Sequence, residues 1–156
     1  MNSPRLQNLL LAVLLASVSW LVYANTVDNP FLYDDLVYIA GNPGLEDASN
    51  ARYLFTQKYF RMSGERSYRP AATALLFLNA ALGGREPLVY RLSSIAVHTA
   101  AGVLIFFFVL AAGGGRAVSF FASLLFLVHP LHTEAVNGSS FIEDPLAAAF
   151  FFAAFL

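Results

Sequence analysis

The chain is built of long apolar blocks separated by short polar ones, and the blocks have the length of membrane-crossing helices. No charge interrupts the 22 positions between Arg5 and Asp28, which centre on the apolar run 9–24. Arg91 and Arg116 enclose 24 such positions, and Arg116 and Glu134 enclose 17. A hydrocarbon core of about 30 Å takes about 20 helical residues to cross, so the first two blocks span it and the third is short but feasible. A fourth apolar run, 145–156, holds 12 residues and rises only about 18 Å as a helix. The pattern predicts spans at about 6–24, 89–112 and 117–131, an incomplete one at 145–156, and a loop over about 25–88. On this reading the chain is the N-terminal part of a longer membrane protein.

A cleavable signal ending at Val22-Tyr23-Ala24 competes for the first block. Trp20 and Tyr23 look like interfacial anchors, which favours a retained helix. Within the loop, Pro70 to Gly84 is free of charge, opens on a proline suited to a first helical turn and closes on Gly83-Gly84. Leu75, Leu78 and Leu82 recur at helical spacing, joined by Leu76 and Phe77 off that row. At about 22 Å this helix is too short to span comfortably and is expected to lie at the interface. The fold class that follows is all-α, a polytopic transmembrane helix bundle with an outer loop carrying interfacial helices.

Counting crossings places chemistry. The third span emerges on the side of the long loop, so the polar stretch 129–144 faces the same compartment as residues 25–88. Arg5 and Arg116 mark the opposite, cytoplasmic side. Six basic residues in the loop (Arg52, Lys58, Arg61, Arg66, Arg69, Arg85) oppose that assignment, but the loop also carries seven acids and is near the length at which the charge rule weakens. The loop is therefore placed outside.

Composition narrows the function. Hydrophobic residues make up 58% and charged residues 12%, about half the charge supply of a soluble domain. A net charge of −1 argues against a nucleic-acid partner. With no cysteine there is no disulfide framework, thiolate metal site or cysteine nucleophile.

Three polar clusters could carry chemistry. Asp34 and Asp35 follow the first span; adjacent carboxylates point in different directions on a helix or a strand, so they are expected to divide the work. The alternative is a loop acid plus an N-cap for the segment from Leu36. His129, His132 and Glu134 could hold a divalent metal, move a proton or hydrogen-bond a phosphate; the alternative is a satisfied interfacial cluster. The glutamate lies outside the histidine pair, which does not fit a zinc protease. Glu143 and Asp144 open the last run, where acids suit a helix N-terminus. Arg69 and Arg91 bracket the interfacial helix and could meet a lipid phosphate. His98, deep in the second span, reads as a helix–helix hydrogen bond. Asn137-Gly138-Ser139 matches a glycosylation acceptor but sits close to the membrane.

The ordered set FLYDDLVYIAGNP (31–43), YRPAATALLFLNAALGG (68–84), YRLSSIAVHTAAGVLIF (90–106) and HPLHTEAVNGSSFIEDPLAA (129–148) resembles the GT-C class of membrane glycosyltransferases. Within that class it is most similar to the O-mannosyltransferase-like family with C-terminal tetratricopeptide repeats. The resemblance implies transfer of a sugar, mannose first among candidates, from a polyprenyl-phosphate donor to a protein Ser/Thr or glycan hydroxyl. It implies a base at Asp34 or Asp35 and a substrate site lined by Arg69, Arg91, His132, Glu134 and Asp144. A divalent metal on Asp35, His129, His132 or Glu134 could assist the phosphate. Where relatives often carry basic residues before the acid matching Asp144, this chain has Phe141-Ile142-Glu143. The expected setting is a bacterial inner membrane with the site facing the periplasm. A transporter or lipid flippase subunit is the alternative, with rim acids and histidines coupling protons or ions. That reading expects ionisable groups near mid-membrane, whereas here only His98 lies deep.

Overall fold

A computed structural model describes residues 3–65 and 67–156; Arg66, one of the loop's basic residues, lies outside the described residues. Among them the architecture is all-α, without strands. Helix α1 covers Pro4–Tyr23, α2 Gln57–Ser63, α3 Pro70–Gly83, α4 Pro87–Ala111, α5 Arg116–Val128, α6 Thr133–Asn137 and α7 Glu143–Ala153. Helices α1 and α4 are each long and apolar enough to cross a membrane. A third crossing is formed if α5 and the segment Pro130–Asn137, bent by 47° against each other, count as one.

Helix α4 is the hub, packing on α1, α5 and α7. Small residues let the helices close up. A Cβ on Gly102 would collide with the Leu127 side chain, and the Ser123 hydroxyl donates to the Gly102 carbonyl at 2.6 Å. Thr99 donates to Ser19 of α1 at 2.8 Å, the kind of polar contact that holds helices together in lipid. Apolar packing of Leu15, Phe106 and Leu127 fills the remaining space between α1, α4 and α5. At the far end, Gly113 with φ +90° supplies the left-handed turn into α5. There Arg116 donates to Asn8 at 2.8 Å.

The long loop folds over the other end as a series of short helical turns with its own core of Phe31, Ile39, Leu45, Leu54, Tyr59, Leu76, Phe77 and Tyr90. Asn42, Tyr59 and Glu65 stitch it: the amide donates to the phenol at 3.3 Å and the phenol to Glu65 at 2.7 Å. Burial, reinforced by that carboxylate, pushes the Tyr59 phenol well above its ordinary value. Helix α3 buries Ala72, Thr73, Leu76, Phe77 and Asn79, while Leu78 and Leu82 point outward. Two of the three leucines of the strict row thus face outward, while Leu75 is half-buried. A helix between protein and lipid is apolar all round, so apolar spacing alone does not mark the inner side.

Candidate active site at the loop end of the bundle

The loop between α1 and α2 places the two carboxylates differently. After Pro30 the chain reaches Tyr33, whose φ of +48° is left-handed, a conformation disfavoured for a bulky L-residue. A tight turn follows, with Asp35 N donating to Leu32 O and Leu36 N to Tyr33 O. Asp34 is left exposed and Asp35 turned inward.

Asp35 is fully buried against a fully buried Arg91, with 3.0 Å between its Oδ2 and the guanidinium. Its Oδ1 accepts the Ser140 amide N–H at 2.8 Å. Arg91 donates also to the Pro30 carbonyl at 2.7 Å and to the Ser139 hydroxyl at 3.2 Å. The pair therefore joins three separate stretches: the loop after α1, the first turns of α4, and the chain entering α7. Asp35 occupies the N-cap position of a single π-helical turn, Leu36–Ala40, but its carboxylate caps nothing there. The alternative capping role gives way to the buried cation, which needs a counter-charge more than an exposed turn needs a cap.

Asp34 lines a cleft of about 670 Å³ between the loop and the segment after α5; Tyr33, Leu131, Thr133, Glu134 and Asn137 share its wall. The cleft is open to solvent, and Asp34 and Glu134 are both exposed, so a hydroxylic molecule can reach either carboxylate.

Two smaller spaces flank α7. Arg69 forms an ion pair with Glu143 at a groove of about 210 Å³ walled by Pro70, Ala72, Leu146 and Phe150. His98, His132 and Asp144 line a space of about 100 Å³ together with Phe126. The Glu143 position that lacks a local basic neighbour in sequence thus acquires Arg69 from another element.

Of the residues singled out in the sequence, Asp34 and Glu134 share the cleft, while His132 and Asp144 share the small space. Arg69 meets Glu143, and Arg91 meets Asp35. His129 is exposed and accepts the Leu131 N–H on Nδ1 at 3.2 Å. Among the described residues no three His, Asp or Glu side chains gather as a metal ion requires, and Asp35 is committed to Arg91. Among the described residues the four candidate ligands do not converge on one point. Sequence reasoning missed Tyr33, the Pro30 carbonyl and the Ser139-Ser140 pair. Ser139 is fully buried and Ser140 acts through its backbone, which carries no residue-type signal.

No family model matches the chain, and no solved structure matches it significantly. Curated proteins do match. Protein O-mannosyl-transferase TMTC1 of Homo sapiens is 33% identical over 93% of this chain. Protein O-mannosyl-transferase TMTC3 of Homo sapiens is 36% identical over 96% of it, and TMTC2 of Homo sapiens 33% over 83%. The chain spans 16–17% of the length of these relatives.

Proposed function

We propose that this chain, which is similar in sequence to protein O-mannosyl-transferases, forms the acceptor-activating part of a glycosyltransferase site. The donor is a polyprenyl-phosphate sugar, with mannose first among candidates, and the acceptor a protein hydroxyl. The membrane is a bacterial inner membrane with the cleft facing the periplasm. Arg5 and Arg116, near the opposite end of the bundle, suit the cytoplasmic side under the charge rule.

The supporting observation is the division of the carboxylate pair. Asp35 is enclosed and paired with Arg91, whereas Asp34 stands in an open cleft that Glu134 also lines. A general base must reach the proton it removes, and only Asp34 of the two is accessible. In the transfer, the acceptor oxygen attacks the anomeric carbon and its proton passes to an Asp34 carboxylate oxygen. The bond from that carbon to the phosphate oxygen breaks, the lipid phosphate leaves with the electron pair, and the anomeric centre inverts. Negative charge growing on the phosphate calls for a fixed cation. Arg69, oriented by Glu143, has further N–H donors to offer it. Glu134 adds a second carboxylate to the cleft, while His132 and Asp144 line the separate smaller space beside α7.

The test uses the full-length protein in membranes with radiolabelled polyprenyl-phosphate mannose. Asp34→Asn is expected to lower transfer about 10²–10⁴-fold, the usual worth of a general base, with expression and thermal stability unchanged. Asp35→Asn is expected to lose stability together with activity. Wild-type transfer by Asp34→Asn would refute the assignment.

A further inference from the structure

The break after α5 leaves a backbone group without its helical partner. In a continuous helix the Phe126 carbonyl would accept from residue 130 and the Leu127 carbonyl from residue 131. Pro130 has no N–H, and the Leu131 N–H is taken by Nδ1 of His129. The Phe126 carbonyl finds the His129 N–H at 3.4 Å. The Leu127 carbonyl is reached instead from another helix: Nε2 of His98, on α4, lies 3.2 Å away. A carbonyl only accepts, so Nε2 of His98 carries the proton.

The imidazole is held among aromatic neighbours. It is almost fully buried, stacked on Phe126 at 5.0 Å between ring centroids, and met edge-on by Tyr23 of α1 at 5.3 Å. The His132 ring lies 5.4 Å from it. The carbonyl it satisfies belongs to the penultimate residue of α5, beside the 47° bend, and the chain beyond that bend supplies Leu131, Thr133 and Glu134 to the cleft that holds Asp34.

We propose that His98 is a positioning residue for the cleft: by donating from Nε2 to the Leu127 carbonyl it sets the bend in the third apolar segment, and so the placement of Glu134 in the cleft it shares with Asp34. This rests on the glycosyltransferase reading for its activity readout, but not for its structural one. His98 touches no reacting group and acts through the backbone of α5.

The test compares His98→Gln, whose side-chain amide nitrogen can reach the same carbonyl, with His98→Phe, which keeps an aromatic ring and removes the donor. Two readouts are taken on the full-length protein. One is the distance distribution between spin labels on Leu32→Cys and Leu131→Cys, placed on opposite walls of the cleft; this chain contributes no cysteine of its own, and any cysteine elsewhere is replaced. The other is steady-state transfer from radiolabelled polyprenyl-phosphate mannose. His98→Phe is expected to shift or broaden the distance distribution. It should also lower kcat on the order of 10–100-fold, the scale of an ångström of misplacement, with donor KM unchanged. His98→Gln is expected to keep the wild-type distance and most of kcat. Two outcomes overturn the proposal: wild-type distance and kcat in His98→Phe, or damage in His98→Gln equal to that in His98→Phe, which would make ring packing the operative feature. If His98→Phe does not fold, His98→Gln decides alone. If the wild type transfers no label, the glycosyltransferase reading fails and the distances still decide the role of His98.

Discussion

Replacing Arg91 by Met keeps most of the side-chain volume and deletes the cation facing Asp35. With 3.0 Å between guanidinium and carboxylate, the attraction at an effective dielectric of about 20 is roughly 5 kcal/mol. That gain is offset in the intact protein by the desolvation of both ions. The variant keeps the cost for Asp35 and loses the compensation. Removing one partner of a buried pair costs about 3–5 kcal/mol, and here the Pro30 carbonyl and Ser139 hydroxyl also lose their donor. Asp35→Leu should cost a similar amount by stranding Arg91. The double variant, Asp35→Leu with Arg91→Met, removes both charges and should cost far less than the sum, with a coupling of about 2–3 kcal/mol. Reversible unfolding in lipid bicelles, followed through steric trapping, measures all four corners of the cycle. Single variants costing under about 1 kcal/mol, or additivity within about 0.5 kcal/mol, would refute the view that this pair pins the loop.

Gly102→Ala drives a methyl into Leu127 and should destabilise the bundle by about 1–3 kcal/mol; unfolding in the same bicelles checks it, and a neutral result contradicts the close approach of α4 and α5. Tyr33→Gly relieves the left-handed backbone of an exposed residue and should raise stability by about 1 kcal/mol, seen as a higher unfolding midpoint. The Ser49 hydroxyl and amide hold the Asp47 carboxyl below its ordinary value. Its contribution is therefore present above the ordinary carboxylate range and lost as pH falls through the lowered value. Ser49→Ala should move the carboxyl back up in a carbon NMR titration, and an unmoved curve would contradict the assignment.

The helices were legible because apolar length and charge spacing report lipid directly. Counting crossings also brought the polar stretch after α5 to the end that holds Asp34. The divergence of Asp34 and Asp35 was legible in kind, since neighbours seldom share a direction, but not in sign: nothing local says which of two identical side chains turns inward. That choice is made by Arg91, far away in sequence, and by the left-handed turn at Tyr33, where no glycine announces it. Pro130 interrupts the third apolar segment, yet the donor that satisfies the freed carbonyl sits on α4 and is invisible to any window around residue 130.

The bond from the Ser140 amide to Asp35 spans 105 residues, which gives assembly an order in time. At about 5–20 residues per second on the ribosome, this carboxylate waits roughly 5–20 seconds before its backbone partner is even synthesised. Arg91, its charge partner at 3.0 Å, is made earlier, so over the last part of that interval it is Oδ1 that water must serve. The first loop therefore stays wet while the early helices insert, and it closes over the bundle only once the chain leading into α7 has arrived.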